Sequence, residues 1–142
     1  MANNSFKADA FSAALTPTLG FMMEFSYQEI LNRASREADE FSLVWRHEFK
    51  FAQSASLIQD RLASHLVSEA ISSSWLSTDL IGSKATVRRY RVNPESLAVL
   101  AGVQGIYDWL APKLPEDLAF YKGVNVLFGS IAHEHEAWLN ET

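Results

Sequence analysis

A chain of 142 residues with 48% hydrophobic and 20% charged side chains has the size and composition of one ordinary globular domain, which excludes disordered, collagen-like and mucin-like classes. It contains no cysteine, so disulfide frameworks, thiolate metal centres and cysteine nucleophiles are excluded as well. Twelve basic side chains against seventeen acidic ones leave a net charge of −5, which argues against a general nucleic-acid binder.

Residues 1–22 read as an exposed extension ahead of a domain over 23–142. The apolar stretch Ala10–Met23 is broken by Ser12, Thr16, Pro17, Thr18 and Gly20, and Asp9 sits where an export signal needs positive charge. No apolar run approaches the roughly 20 residues of a membrane span. The expectation is therefore a cytoplasmic protein without a membrane partner.

Ser26 and Glu29 form the S-x-x-E pattern of a capping box, with Phe25 and Ile30 placed as a hydrophobic staple. Ile30, Leu31, Ala34 and Ala38 give that helix its apolar face, to about Asp39. Phe41 to Phe51 alternates as a strand, with Phe41, Leu43, Trp45, His47 and Phe49 on one face. From Ser54 the period changes: Ile58, Leu62, His65, Leu66 and Ala70 recur at three and four, which predicts a helix to about Ala70 with His65 in the core. The serine-rich stretch Ser72–Ser83 reads as a loop carrying Trp75 and Asp79.

Thr86–Val92 is a strand by its β-branched and aromatic content. Asn93-Pro94 then caps and opens a helix whose stripe is Leu97, Leu100, Val103, Tyr107 and Leu110, weakened by Gly102 and Gly105. Leu118–Tyr121 and Val124–Ala132 are strands joined at Lys122-Gly123. The order predicts an α+β fold, a small, mostly antiparallel sheet packed by about three helices.

The charge is unevenly spread. Residues 95–142 carry seven carboxylates against Lys113 and Lys122, so this third holds the whole net charge. Such a patch attracts a basic partner and speeds its association. The basic run Lys84, Arg88, Arg89 and Arg91 lacks a glycine-rich cradle and any interleaved aromatic beyond Tyr90, and pairing with the acidic third is its expected use.

His133-Glu134-His135-Glu136 is the most chemical-looking run. On a strand both histidines would share a face and offer a divalent metal two ligands, with His47 or Asp79 as a third. It is not the helical H-E-x-x-H zinc motif. No nucleophile elbow, P-loop or dinucleotide fingerprint is present, so no cofactor is expected.

Trp109-Leu110-Ala111-Pro112, then Pro115-Glu116-Asp117-Leu118-Ala119-Phe120-Tyr121, then Ile131-Ala132-His133-Glu134 resembles a pattern in small bacterial proteins: a PEDL-x-FY turn into a strand, followed by a strand ending in His-Glu. Several of that group look like immunity proteins paired with toxins. The resemblance implies a non-enzymatic protein that neutralises a cognate toxin by occluding it, with Trp75, Asp79, Glu116, Tyr121, Glu134 and Glu136 as the expected partner-facing residues. From the residues themselves, Glu116 and Asp117 follow a proline and suit a turn whose backbone N–H groups they cap. The alternative expectation is a small metal-dependent enzyme using His47, His133 and His135.

Overall fold

The computed structural model describes residues 26–140. The expected extension over 1–22 and the Phe25 half of the staple lie outside them.

Helix α1 (Tyr27–Glu37) starts where the capping box places it: Ser26 Oγ accepts from the Glu29 N–H at 3.1 Å, and the Ser26 N–H donates to Glu29 Oε1 at 2.8 Å. It buries Ile30, Leu31 and Ala34. Strand β1 (Glu40–Arg46) follows, with every residue from Phe41 to Trp45 buried. The alternation expected through Phe51 stops at Arg46 because the chain turns at His47, whose N–H makes a last bond to the Lys84 carbonyl.

Helix α2 (Gln53–Leu62) ends sooner than the periodicity suggests. One 3₁₀ turn (Ala63–His65) leads into a strand, β2 (Leu66–Ser72), where the helix was expected to continue. Six of its seven residues are exposed, so neither face shows the in–out alternation by which a strand is read from sequence. His65 is buried as expected and sits beside the Asn93 side-chain amide, 3.1 Å away. The Ser72–Ser83 stretch holds a two-stranded ribbon, β3 (Ser74–Trp75) and β4 (Thr78–Asp79).

Strand β5 (Ala85–Arg91) leads to α3 (Pro94–Ala101), which Asn93 caps by accepting from the Ser96 N–H. Helix α3 stops at Gly102, two turns before the expected end, and the rest becomes a 3₁₀ turn at Ile106–Asp108. The two glycines that weaken the pattern mark the break. Strands β6 (Glu116–Lys122) and β7 (Asn125–Ile131) form the expected hairpin; Gly123 takes φ +59° in its turn, and its N–H donates to the Asp39 carboxylate. A 3₁₀ turn (Ala132–Glu134) and His135 in the left-handed region then reverse the chain into β8 (Glu136–Leu139). His133 and His135 therefore do not share a strand face.

The main sheet runs β2-β5-β1-β6-β7-β8, with every neighbouring pair antiparallel. The three helices cover one face, where Ile30, Leu62, Leu100 and the fully buried Trp109 meet Phe41, Leu43, Tyr90, Phe120 and Phe128. On the opposite face Val44, Ala85 and Trp75 make a second small core beneath the β3–β4 ribbon. The fold is the expected α+β domain, with four strands the sequence did not reveal, β2 and β8 in the main sheet and the two of the ribbon. No helix among the described residues is long and apolar enough to cross a membrane.

Candidate functional site

Opposite Leu43, strand β6 carries an extra residue. Ser42 pairs with Ala119 and Val44 with Glu116, so Asp117 and Leu118 together face one residue of β1. This β-bulge is made by Asp117 at φ +61°, a conformation that aspartate tolerates better than most residues. Consecutive strand residues normally point to opposite faces. Here the bulge brings the carboxylates of Glu116 and Asp117 together with the imidazole of His133, with one ligand atom of each within 4.8 Å of the others.

Both acids are buried, at 1% and 0% exposure. Asp117 is fully engaged: the Trp75 indole N–H donates to Oδ2 at 2.9 Å and the Ala132 N–H to Oδ1 at 2.9 Å. Glu116 is held less well. Its Oε1 accepts from the Ala111 N–H at 3.3 Å, and Oε2 makes no hydrogen bond and faces Arg46 Nη1 at 3.6 Å. Arg46 also pairs with Glu48 at 3.1 Å, and its guanidinium lies over the Phe49 ring.

Loss of water raises the affinity of both carboxyls for a proton. For Glu116 the Asp117 charge pushes further the same way, opposed by Arg46; for Asp117 the Trp75 and Ala132 bonds pull back. The two carboxyls differ in their donors: Asp117 accepts N–H bonds at both oxygens, Glu116 at one.

Each expected site residue has a definite place. Trp75 is 8% exposed, wedged in the second core. Tyr121 is buried too, with its hydroxyl 2.8 Å from Ser42 Oγ and the Arg89 guanidinium stacked 3.8 Å over its ring. Trp75, Glu116 and Tyr121 thus face inward, where they pack and bond within the chain. Asp79 is exposed on the ribbon, Glu134 is exposed 3.6 Å from His133, and Glu136 is half-buried at the start of β8. The three histidines expected to share a metal are not gathered. His47 bonds Thr86 Oγ1 at 2.8 Å, His135 packs on the Tyr107 ring at 4.7 Å, and only His133 joins the carboxylates. The ion pairs of Arg88 and Arg89 go to carboxylates outside the acidic third, Glu69 and Glu40.

Sequence reasoning missed Arg46 as the counter-charge, because a strand of alternating polarity gives no sign of which arginine turns inward. It also left Asp117 as a turn cap near its own segment, whereas its partners lie 42 and 15 residues away. The aspartate after Pro-Glu was the available signal; its long-range partners had none.

A separate groove of about 350 Å³ runs between α1 and strands β6 to β8, floored by Ile30, Phe120 and Phe128 and rimmed by Arg33, Arg36 and Glu37. The carboxylate cluster does not line it. Comparison with known proteins found no matching family model, no matching curated protein and no matching solved structure.

Proposed function

We propose that this chain is a protein-binding module that acts by occlusion, as an immunity protein does toward its toxin, with no catalysis of its own. One observation carries the reading. Asp117 ties the Trp75 indole on one side and the Ala132 backbone on the other. The ribbon bearing Asp79 and the turn bearing Glu134 are thereby fixed at one end of the sheet. Their exposed carboxylates come from segments some fifty residues apart in sequence, joined by a rigid internal strut. Rigid display of exposed acids suits recognition of a basic protein surface, because little conformational freedom is lost on binding.

The resemblance of the Pro115–Tyr121 and Ile131–Glu134 segments to bacterial immunity proteins supplies the partner class, a toxin from an adjacent gene. Calorimetry with the product of that gene tests it. Tight binding that weakens when Asp79 and Glu134 are neutralised supports the proposal; no heat of binding and no co-purifying protein removes it.

A metal-dependent enzyme is the second reading, now with Glu116, Asp117 and His133 in place of the three histidines, since their ligand atoms lie within 4.8 Å of one another. Against it, both Asp117 oxygens already accept hydrogen bonds and Arg46 lies beside Glu116. Elemental analysis of protein purified without an affinity tag separates the readings: stoichiometric zinc, manganese or iron that is lost in His133→Ala favours the enzyme.

A further inference from the structure

The groove beside α1 has two walls of different make. On the helix side Ile30, Ala34 and Ala38 follow one another at four-residue spacing, and two of the three are small. On the sheet side stand Phe120, Phe128 and Leu139. Four residues of helix advance about 6 Å, so the helix wall repeats at that distance along the groove. Arg33 and Arg36 stand at the rim, Arg33 paired with Glu37 at 3.2 Å and Arg36 donating to the Asn32 carbonyl at 3.3 Å. The first described residue, Ser26, is the cap of this same helix, so residues 1–25 are tethered at one end of the groove.

We propose that the groove is closed by this chain's own segment Phe21–Phe25, folded back along α1 in extended form. The capping box at Ser26 and Glu29 is formed, and its usual companion is a contact between the residue before the cap and the fourth residue of the helix, here Phe25 and Ile30. Ile30 lines the groove, so that contact turns the chain into it. From there the two periods agree. Alternate residues of an extended segment lie about 6.6 Å apart, close to the 6 Å of the helix wall. With Phe25 on Ile30, Met23 falls at Ala34 and Phe21 at Ala38, so large apolar side chains meet small ones and cover the phenylalanines opposite. Met22 and Glu24 take the other side, which brings the Glu24 carboxylate toward the rim where Arg33 and Arg36 stand. The apolar run also ends where the wall ends, at Gly20 and the Thr16-Pro17-Thr18 stretch before it. The tether favours this occupant over any separate molecule, because a short linker holds the segment at an effective concentration on the order of millimolar. A strap of this kind leaves Asp79 and Glu134, which do not line the groove, as the surface open to a partner.

The test uses the full chain and brief digestion with chymotrypsin, which cuts after phenylalanine. Phe6 and Phe11 lie before the strap, Phe21 and Phe25 within it. Cleavage at Phe21 and Phe25 should be at least about tenfold slower than at Phe6 and Phe11, since a docked segment must open before it is cut. Met23→Asp places a charge on the face turned into the groove and should abolish that protection, whereas Met22→Asp, on the outer face, should leave it intact. The two variants have the same composition, and an unchanged circular dichroism spectrum shows that the domain itself stays folded. Methyl-labelled protein gives the register directly: the Met23 methyl should show a nuclear Overhauser contact to Ala34. Equal cleavage at all four phenylalanines overturns the proposal, and so does equal loss of protection in Met22→Asp and Met23→Asp. Protection that grows with protein concentration assigns the groove to a second copy and overturns it as well, as does protection that is lost when a co-purifying small molecule is dialysed away.

Discussion

Two sets of carboxylates near one end of the sheet have been put to opposite uses. Glu116 and Asp117 are buried side by side, with internal donors for three of their four oxygens or an arginine close by. Asp79 and Glu134, carried on the segments that Asp117 braces, are exposed. A charge in the interior stabilises only if every lone pair finds a donor, while a charge at the surface is nearly neutral for stability and acts over distance. The same residue type therefore builds the fold in one place and is available for encounter in the other. Substitutions that distinguish the two sets should differ both in size and in what they change.

The largest effect belongs to Asp117. Asp117→Ala leaves the Trp75 indole N–H and the Ala132 N–H without acceptors and puts a β-carbon without polar atoms at φ +61°. A loss of about 3–5 kcal/mol is expected, enough to threaten a domain of ordinary stability. Asp117→Asn keeps one acceptor and tolerates the left-handed backbone, so it should cost less, about 2 kcal/mol. Urea unfolding monitored by tryptophan fluorescence checks both, and equal costs would mean that Asp117 is not the strut. Trp75→Phe comes next: the ring still packs against Val44 and Ala85, but Asp117 Oδ2 loses its donor, for about 1–3 kcal/mol.

Glu116 should reveal itself through pH rather than through a large loss. Burial, reinforced by the neighbouring Asp117 charge, raises its folded-state affinity for a proton above that of the unfolded chain. From the ordinary glutamate range upward the folded state then holds more protons than the unfolded state, so stability attributable to this group falls as pH rises and is recovered on mild acidification. This is the opposite of a salt-bridged surface acid. Glu116→Gln should flatten that slope and cost less than about 1 kcal/mol at neutral pH. Paired denaturation curves of wild type and variant at pH 5 and pH 7 decide the matter; a wild type that gains stability over the variant as pH rises contradicts it.

The comparison also shows what a sequence can and cannot disclose. Caps written in adjacent residues were legible: Ser26 with Glu29, and Asn93 with Pro94, start their helices where local chemistry places them. The hairpin at Gly123 was legible for the same reason. Strand β2 was not, because a strand exposed on both faces has no alternation, and its apolar residues fall at helical spacing by accident. Strand β8 was hidden by His135, whose left-handed turn reverses a run that alternates in type as a continuing strand would. At the site, the pairing of Glu116 with Asp117 was visible as neighbours in sequence. That both would point the same way required the bulge, and that Trp75 would face inward required Asp117 to reach across 42 residues. Local hydrogen bonds are encoded locally; long-range ones depend on register, which no short window contains.

The smallest effect on stability, and the sharpest functional one, falls on the exposed pair. Asp79→Asn with Glu134→Gln removes two charges and no internal hydrogen bond of the Asp117 strut. Its unfolding free energy should stay within about 0.5 kcal/mol of the wild type. Under the proposed function, association with a basic partner protein should slow severalfold while dissociation changes little, because rim charges steer encounter more than they hold a complex. The difference should vanish as ionic strength approaches 1 M, where the Debye length shrinks from about 8 Å to 3 Å. Stopped-flow association of both proteins across a salt series measures it. Asp117→Asn provides the contrast: it should lower stability at every salt concentration, because its bonds are internal and shielded from counter-ions. If the double variant instead loses stability and keeps its on-rate, Asp79 and Glu134 belong with the interior pair, and the division between the two sets fails.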